Sequence, residues 1–245
     1  MVKFFLTFLM VLTFSLSAMA GEINLAAGVG LKDVINDITA AFIRKNESVK
    51  IVKNFAASGV LAKQIDSGAQ TDIVFVANVA WMDYMKEKRH VDPGTVMPFA
   101  YNTLVFTGKG PRRASNMGEL IKLERIALGS PKSVPAGEYA TEALRNAGID
   151  KQLEKKLVMA RDVRECLLYA ERGEADGAFV YKTDALLSED VGIWFTVPQK
   201  LYSRVVYVMA MTVSGTRNQE AVTFFSFLRS PEATAFLSKY GFEIR

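Results

Sequence analysis

The sequence predicts an α/β protein built from two successive units, each a mostly parallel sheet flanked by helices. Three observations carry that prediction. Short apolar runs alternate with stretches of helical spacing along nearly the whole chain, the pattern of βαβ units. Asp72-Ile-Val-Phe-Val-Ala77 is almost continuously apolar, as a strand covered on both faces should be. The alternation occurs twice, and about 225 residues beyond a leader are enough for two modest cores.

Glu22 to Ala27 reads as a first strand, ended by Gly28-Val29-Gly30. Leu31, Val34, Ile35, Ile38, Ala41 and Phe42 then follow helical spacing, with Asp33 in the first turn. Val49 to Phe55 is a second strand, Ala56-Ala57-Ser58-Gly59 a turn, and Val60 to Ile65 a short helix closed by Gly68. After the third strand, Trp81 to Lys88 is helical. The second unit starts with a strand at Leu104–Thr107 and a short helix at Met117–Ile121. Ile126 to Leu128 leads into Gly129-Ser-Pro-Lys-Ser-Val-Pro-Ala136, whose two prolines cannot continue a ladder. A helix follows from Ala136 to Asn146, with Glu138 in its first turn and Gly148 behind it. Its free first N–H groups, at the positive end of the helix dipole, form a ready site for a small anion. Val158–Ala160 is a strand, Val163 opens a helix, and Gly177–Tyr181 is a strand. Strands at Trp194–Val197 and Val205–Val213 and helices at Asn218–Arg229 and Pro231–Tyr240 complete the chain. Loops near Asn102 and Ser203 are the natural places to cross between units.

Lys3, the apolar run Phe4–Leu16 and Ser17-Ala-Met-Ala20 have the form of a secretory signal peptide cleaved after Ala20, which predicts an exported, soluble mature chain, with an uncleaved membrane anchor as the alternative. The formal net charge is +4, and +3 without that leader. The basic residues are dispersed, which argues against a nucleic-acid partner. Cys166 is the only cysteine, so no intrachain disulfide can form, and its apolar helical setting fits a buried, inert thiol. His90 is the only histidine and lies in a charged turn, which makes a zinc or copper site, or a Ser-His-Asp triad, improbable. No resident metal and no cofactor are expected.

Four segments resemble the periplasmic molybdate-binding proteins of ABC importers: Phe55 to Ala69 leading into Asp72, Gly129 to Ala140, Asp162-Val-Arg164 with Ala170 to Ala185, and Lys239-Tyr-Gly-Phe242. They occur in the family's order, and the resemblance runs from about Glu22 to Arg245. It implies a two-lobed periplasmic binding protein fold of type II-like plan, with lobe I at 21–101 plus 206–245, lobe II at 102–205, and a ligand cleft between. By the same resemblance the oxyanion-binding residues fall on Gly30, Ser58, Ala136, Val163 and Tyr181, the ligand is molybdate or tungstate, and the function is delivery to a permease and its ATPase by a monomeric, non-enzymatic carrier. Gly30, Ser58, Ala136 and Val163 also stand where helices are expected to start, and Tyr181 at the C-terminal end of a strand, the edge where α/β ligands bind.

Gly30 departs from the family, which commonly has serine there. The loss of one hydrogen bond to a charged ligand would weaken binding by about 1.5–3 kcal/mol unless a neighbour, Lys32 being one candidate, supplies another. Asn78 stands where the family often has aspartate, and no role follows for it. Other readings remain open. Ser58 can be an ordinary helix N-cap and Tyr181 a core aromatic. The cleft could take sulfate or phosphate, feed a sensor, or serve a secreted enzyme, for which Asp162 with Asp184 are the candidate titratable pair.

Overall fold

The computed structural model describes residues 21–244; the leader at 1–20, with its expected cleavage after Ala20, lies outside the described residues. Two five-stranded sheets organise the molecule. The first unit runs β1 (Glu22–Gly28), α1 (Lys32–Ile43), β2 (Lys50–Ala56), α2 (Ser58–Asp66), β3 (Ile73–Val76), α3 (Val79–Glu87) and β4 (Met97–Asn102). The second runs β5 (Leu104–Gly108), β6 (Ile126–Gly129), α4 (Pro135–Asn146), α5 (Asp150–Leu153), β7 (Leu157–Ala160), α6 (Val163–Glu171), β8 (Gly177–Tyr181), α7 (Lys182–Ala185) and β9 (Gly192–Thr196). The chain then returns to the first sheet through β10 (Val205–Met211), followed by α8 (Gln219–Phe227) and α9 (Pro231–Lys239). The sheet orders are β2-β1-β3-β10-β4 and β7-β6-β8-β5-β9. Among the described residues no helix is long and apolar enough to cross a membrane.

The α/β class and the two-lobed plan are as expected, but the sheets are mixed to a greater degree than the sequence implied. β1 pairs in parallel with β2 and β3, and β6 with β7 and β8. β10 and β5 are antiparallel to both of their neighbours. The reason is topological. The parallel strands run toward the cleft, whereas β5 and β10 are the strands that arrive from the other lobe. Each enters at the cleft and must run away from it. β4 ends at Asn102 and β5 begins at Leu104, so one crossing occupies a single residue. The other, after β9, is tied beside it, because Leu104 N–H donates to the Tyr202 hydroxyl at 3.0 Å.

β4 has no clear sequence signature, because Pro98 interrupts the run. It is tolerated there because β4 is the edge strand of its sheet, its outer side met only at Tyr101 by an isolated bridge to Glu243. β3 is buried on both faces as predicted: Ile73 and Phe75 join the core under α1 and α8, while Val74 and Val76 pack with Leu61, Met82 and Met85 beneath α2 and α3. In the second lobe Phe106 and Phe179 meet edge to face, with ring centroids 4.9 Å apart, beside Leu128 and Leu144.

Candidate functional site

The five residues singled out by the sequence come together. Gly30 lies in the tight turn Val29–Leu31 that leads into α1, and Ser58 is the first residue of α2. Ala136 is the second residue of α4, Val163 the first of α6, and Tyr181 the last of β8. All five line one cavity between the sheets, joined by Tyr207 of β10. It leaves about 20 Å³ for the centre of a water-sized sphere. With the 1.4 Å of that sphere added, this is an enclosure of roughly 3 Å radius, room for one small polyatomic ion but not for a nucleotide or sugar. No Lys, Arg, His, Asp or Glu lines it.

The donors are therefore neutral. The first N–H groups of α2, α4 and α6 have no partner within their own helices, and each start carries the positive end of a dipole. Gly137 lets α4 come this close: a Cβ there would lie 1.8 Å from the carbonyl oxygen of Gly129, at the end of β6. Ser58 is not the cap of α2. That position belongs to Ala57, and the Ser58 Oγ instead accepts a hydrogen bond from Ala77 N–H at 3.0 Å. Its own proton is left to donate into the cavity. The Tyr181 hydroxyl is buried without a hydrogen-bond partner, and so is that of Tyr207. Burial holds both phenols well above their usual pKa, so they stay protonated as donors.

Charge stands behind this neutral lining. Asp184 is fully buried, with Arg164 Nε 2.5 Å from its Oδ1. Burial pushes its pKa up to about 6 against the opposing pull of Arg164. Arg164 also reaches across the cleft to Asp33 at 2.6 Å. Asp162 has a different occupation from the titratable role weighed above: it caps α6, its Oδ1 accepting from the N–H groups of Arg164 and Glu165 at 2.9 Å each. Lys32 is exposed and outside the cavity lining.

Further contacts close the cleft beside the cavity. Gly59 N–H donates to Ser133 O at 3.0 Å, and Tyr139 Oη to Ala77 O at 3.3 Å. Asn78, to which the sequence assigned no role, caps α3 through Trp81 N–H and donates its amide to Glu138 Oε2 at 2.6 Å. Trp81 Nε1 donates to the other oxygen of the same carboxylate at 3.1 Å. Tyr207, Arg164 and this Asn78–Glu138 pair are the site residues that sequence reasoning passed over. Tyr207 sits in an apolar strand pattern, and nothing local marks its hydroxyl. Cys166 is buried as expected, and burial raises its thiol pKa. Among the described residues no cluster of three or more His, Cys, Asp or Glu could hold a metal ion.

Comparison with known proteins places this geometry in a family. Residues 23–243 match the model of the bacterial extracellular solute-binding proteins. The molybdate-binding protein ModA of Escherichia coli is 35% identical over 235 residues, covering 92% of this chain and 90% of that protein. Among solved structures, the substrate-binding domain of a putative molybdenum ABC transporter from Clostridium difficile is 30% identical, with a TM-score of 0.71, over 91% of this chain and 99% of that one. The periplasmic molybdate-binding protein of Azotobacter vinelandii has the same fold, with a TM-score of 0.82 at 21% identity over 91% of this chain and 99% of that one. The chain belongs to the bacterial extracellular solute-binding protein family.

Proposed function

We propose that this protein captures molybdate, and tungstate with it, in the cavity between its lobes and delivers the ion to an ABC permease and its ATPase. The observation that carries the reading is an ion-sized cavity lined by helix starts and hydroxyls with no charged side chain on its wall. Such a wall suits a tetrahedral dianion. Leaving a buried dianion unpaired would be very costly, and several converging N–H and O–H donors offset that cost without a counter-charge. In this reading Gly30, Ala136 and Val163 contribute backbone N–H groups, and Ser58 and Tyr181 their hydroxyls. Fixed neutral donors also select by size: sulfate carries the same charge as molybdate but is smaller, and it cannot reach every donor of a rigid enclosure.

The lobes are taken as 21–101 with 206–245, and 102–205, boundaries that fall within a residue of the strand ends at Asn102 and Val205. Opening would bend the two crossings, and ligand contacts from both lobes would favour the closed form. The protein is proposed to act as an exported monomer without a resident cofactor, its leader removed after Ala20.

Calorimetric titration of the mature, ligand-stripped protein with molybdate, tungstate and sulfate tests the reading. The expected result is sub-micromolar binding of the first two and no heat with sulfate. Tight sulfate binding would mean that the cavity does not select by radius, and silence with all three would defeat the oxyanion reading.

A further inference from the structure

We propose that the Tyr207 hydroxyl is a direct ligand donor, occupying the corner of the cavity where residue 30 brings no side chain. The inference rests on the oxyanion reading above and adds a contact to it. Tyr207 lines the cavity and is fully buried, and its hydroxyl has no hydrogen-bond partner. A buried hydroxyl left unpaired is costly, and such groups are few in native structures. A ligand in the cavity would satisfy it. Tyr181 and Tyr207 meet edge to face with ring centroids 5.7 Å apart, so the two unpartnered hydroxyls belong to one wall.

Gly30 fixes where this hydroxyl lies. A Cβ built on Gly30 would stand 3.0 Å from Tyr207 Oη, with the Asp184 carboxylate oxygens at 3.4 and 3.6 Å. Any side chain at residue 30 would therefore press on the tyrosine hydroxyl. The absence of a side chain at 30 and the presence of a hydroxyl at 207 are one arrangement of the same space. The groups within the fold that could take the proton are limited. Asn102 uses its amide on Thr183 Oγ1 at 2.8 Å and its carbonyl on Thr103 N–H at 2.9 Å, and only a weak contact with Tyr207, short of hydrogen-bond geometry, remains. Asp184 is the other neighbour: Arg164 Nε lies 2.5 Å from its Oδ1, and its Oδ2 is buried without a hydrogen-bond partner. Because burial keeps the phenol protonated, Tyr207 can only donate toward an anion.

The test uses the mature protein and molybdate as the probe, with affinity and unliganded melting temperature measured on each form. Tyr207→Phe keeps the ring and removes one donor, so affinity should fall roughly 10- to 100-fold while the unliganded melting temperature holds or rises. Gly30→Ser on that background places a hydroxyl in the vacated corner and should recover most of the loss. Gly30→Ser alone should gain nothing, because Tyr207 Oη already holds the space. Three results overturn the proposal. One is Tyr207→Phe binding molybdate as the unchanged protein does. Another is an affinity loss matched by an equal drop in unliganded stability, which would assign the hydroxyl to Asp184 or Asn102. The third is a loss that Gly30→Ser leaves wholly unrecovered. An unchanged protein that binds no oxyanion would remove the underlying reading itself, and the first titration separates that case from the others.

Discussion

Asp184 shows how much one residue's setting differs from its sequence. Alone in the chain it is an aspartate after a strand; folded, it is a fully buried carboxylate held by Arg164. Burial raises its pKa from 3.8 to about 6. Between those values the folded protein keeps a proton that the unfolded chain has released. The contribution of Asp184 to stability should therefore be fully present below about pH 4, fall as pH rises toward about 6, and be gone beyond it. The whole change is at most about 3 kcal/mol, at 1.36 kcal/mol per unit. Urea unfolding of the unliganded protein and of Asp184→Asn across this range should differ by this slope. Parallel curves for the two proteins would show that Asp184 does not titrate there. Ser58 makes the same point: its sequence setting fits a cap, yet the fold gives its oxygen to Ala77 N–H and leaves its proton for the cavity.

At the scale of elements, most helix and strand positions were legible because local chemistry marks their ends. Pro135 opens α4, and Asp162 satisfies two of the free N–H groups at the start of α6. Asp162→Ala should lower stability by about 1 kcal/mol, a fall of roughly 2–4 °C in melting temperature for a chain of this size, with Asp162→Asn costing less. Equal melting of all three proteins would remove Asp162 from the role of cap. Strand β4 was not legible, because an edge strand with a proline lacks the alternation that identifies a half-buried one. Nor was the reversal of β5 and β10, since a strand's direction relative to its neighbours is set by where the chain enters the sheet.

At the scale of the whole molecule, the cavity exists only while the lobes are together. Glu138 of the second lobe accepts from Asn78 and Trp81 of the first, and Arg164 reaches Asp33. These contacts bias the molecule toward closure before any ion is counted. Glu138 is half-buried, and burial raises its pKa against the two donors. Glu138→Ala should cost about 1 kcal/mol of closure, seen as a roughly fivefold loss of molybdate affinity and a larger unliganded radius of gyration by X-ray scattering. An unchanged radius together with unchanged affinity would show that this pair does not hold the lobes.

The sequence by itself determined the α/β class, the two units, the starts of the four cavity-facing segments and, through the quoted motifs, the resemblance that brought Gly30, Ser58, Ala136, Val163 and Tyr181 together. Those features depend on periodicity, prolines and capping residues, which act over a few neighbouring positions. The tertiary structure alone decided that Tyr207 stands over Gly30, that Asn78 meets Glu138, and that Asp184 is buried against Arg164. The first two are contacts between residues far apart in the chain, and the third depends on a core that both lobes complete. No local pattern encodes such proximities, because each arises only when separate elements pack.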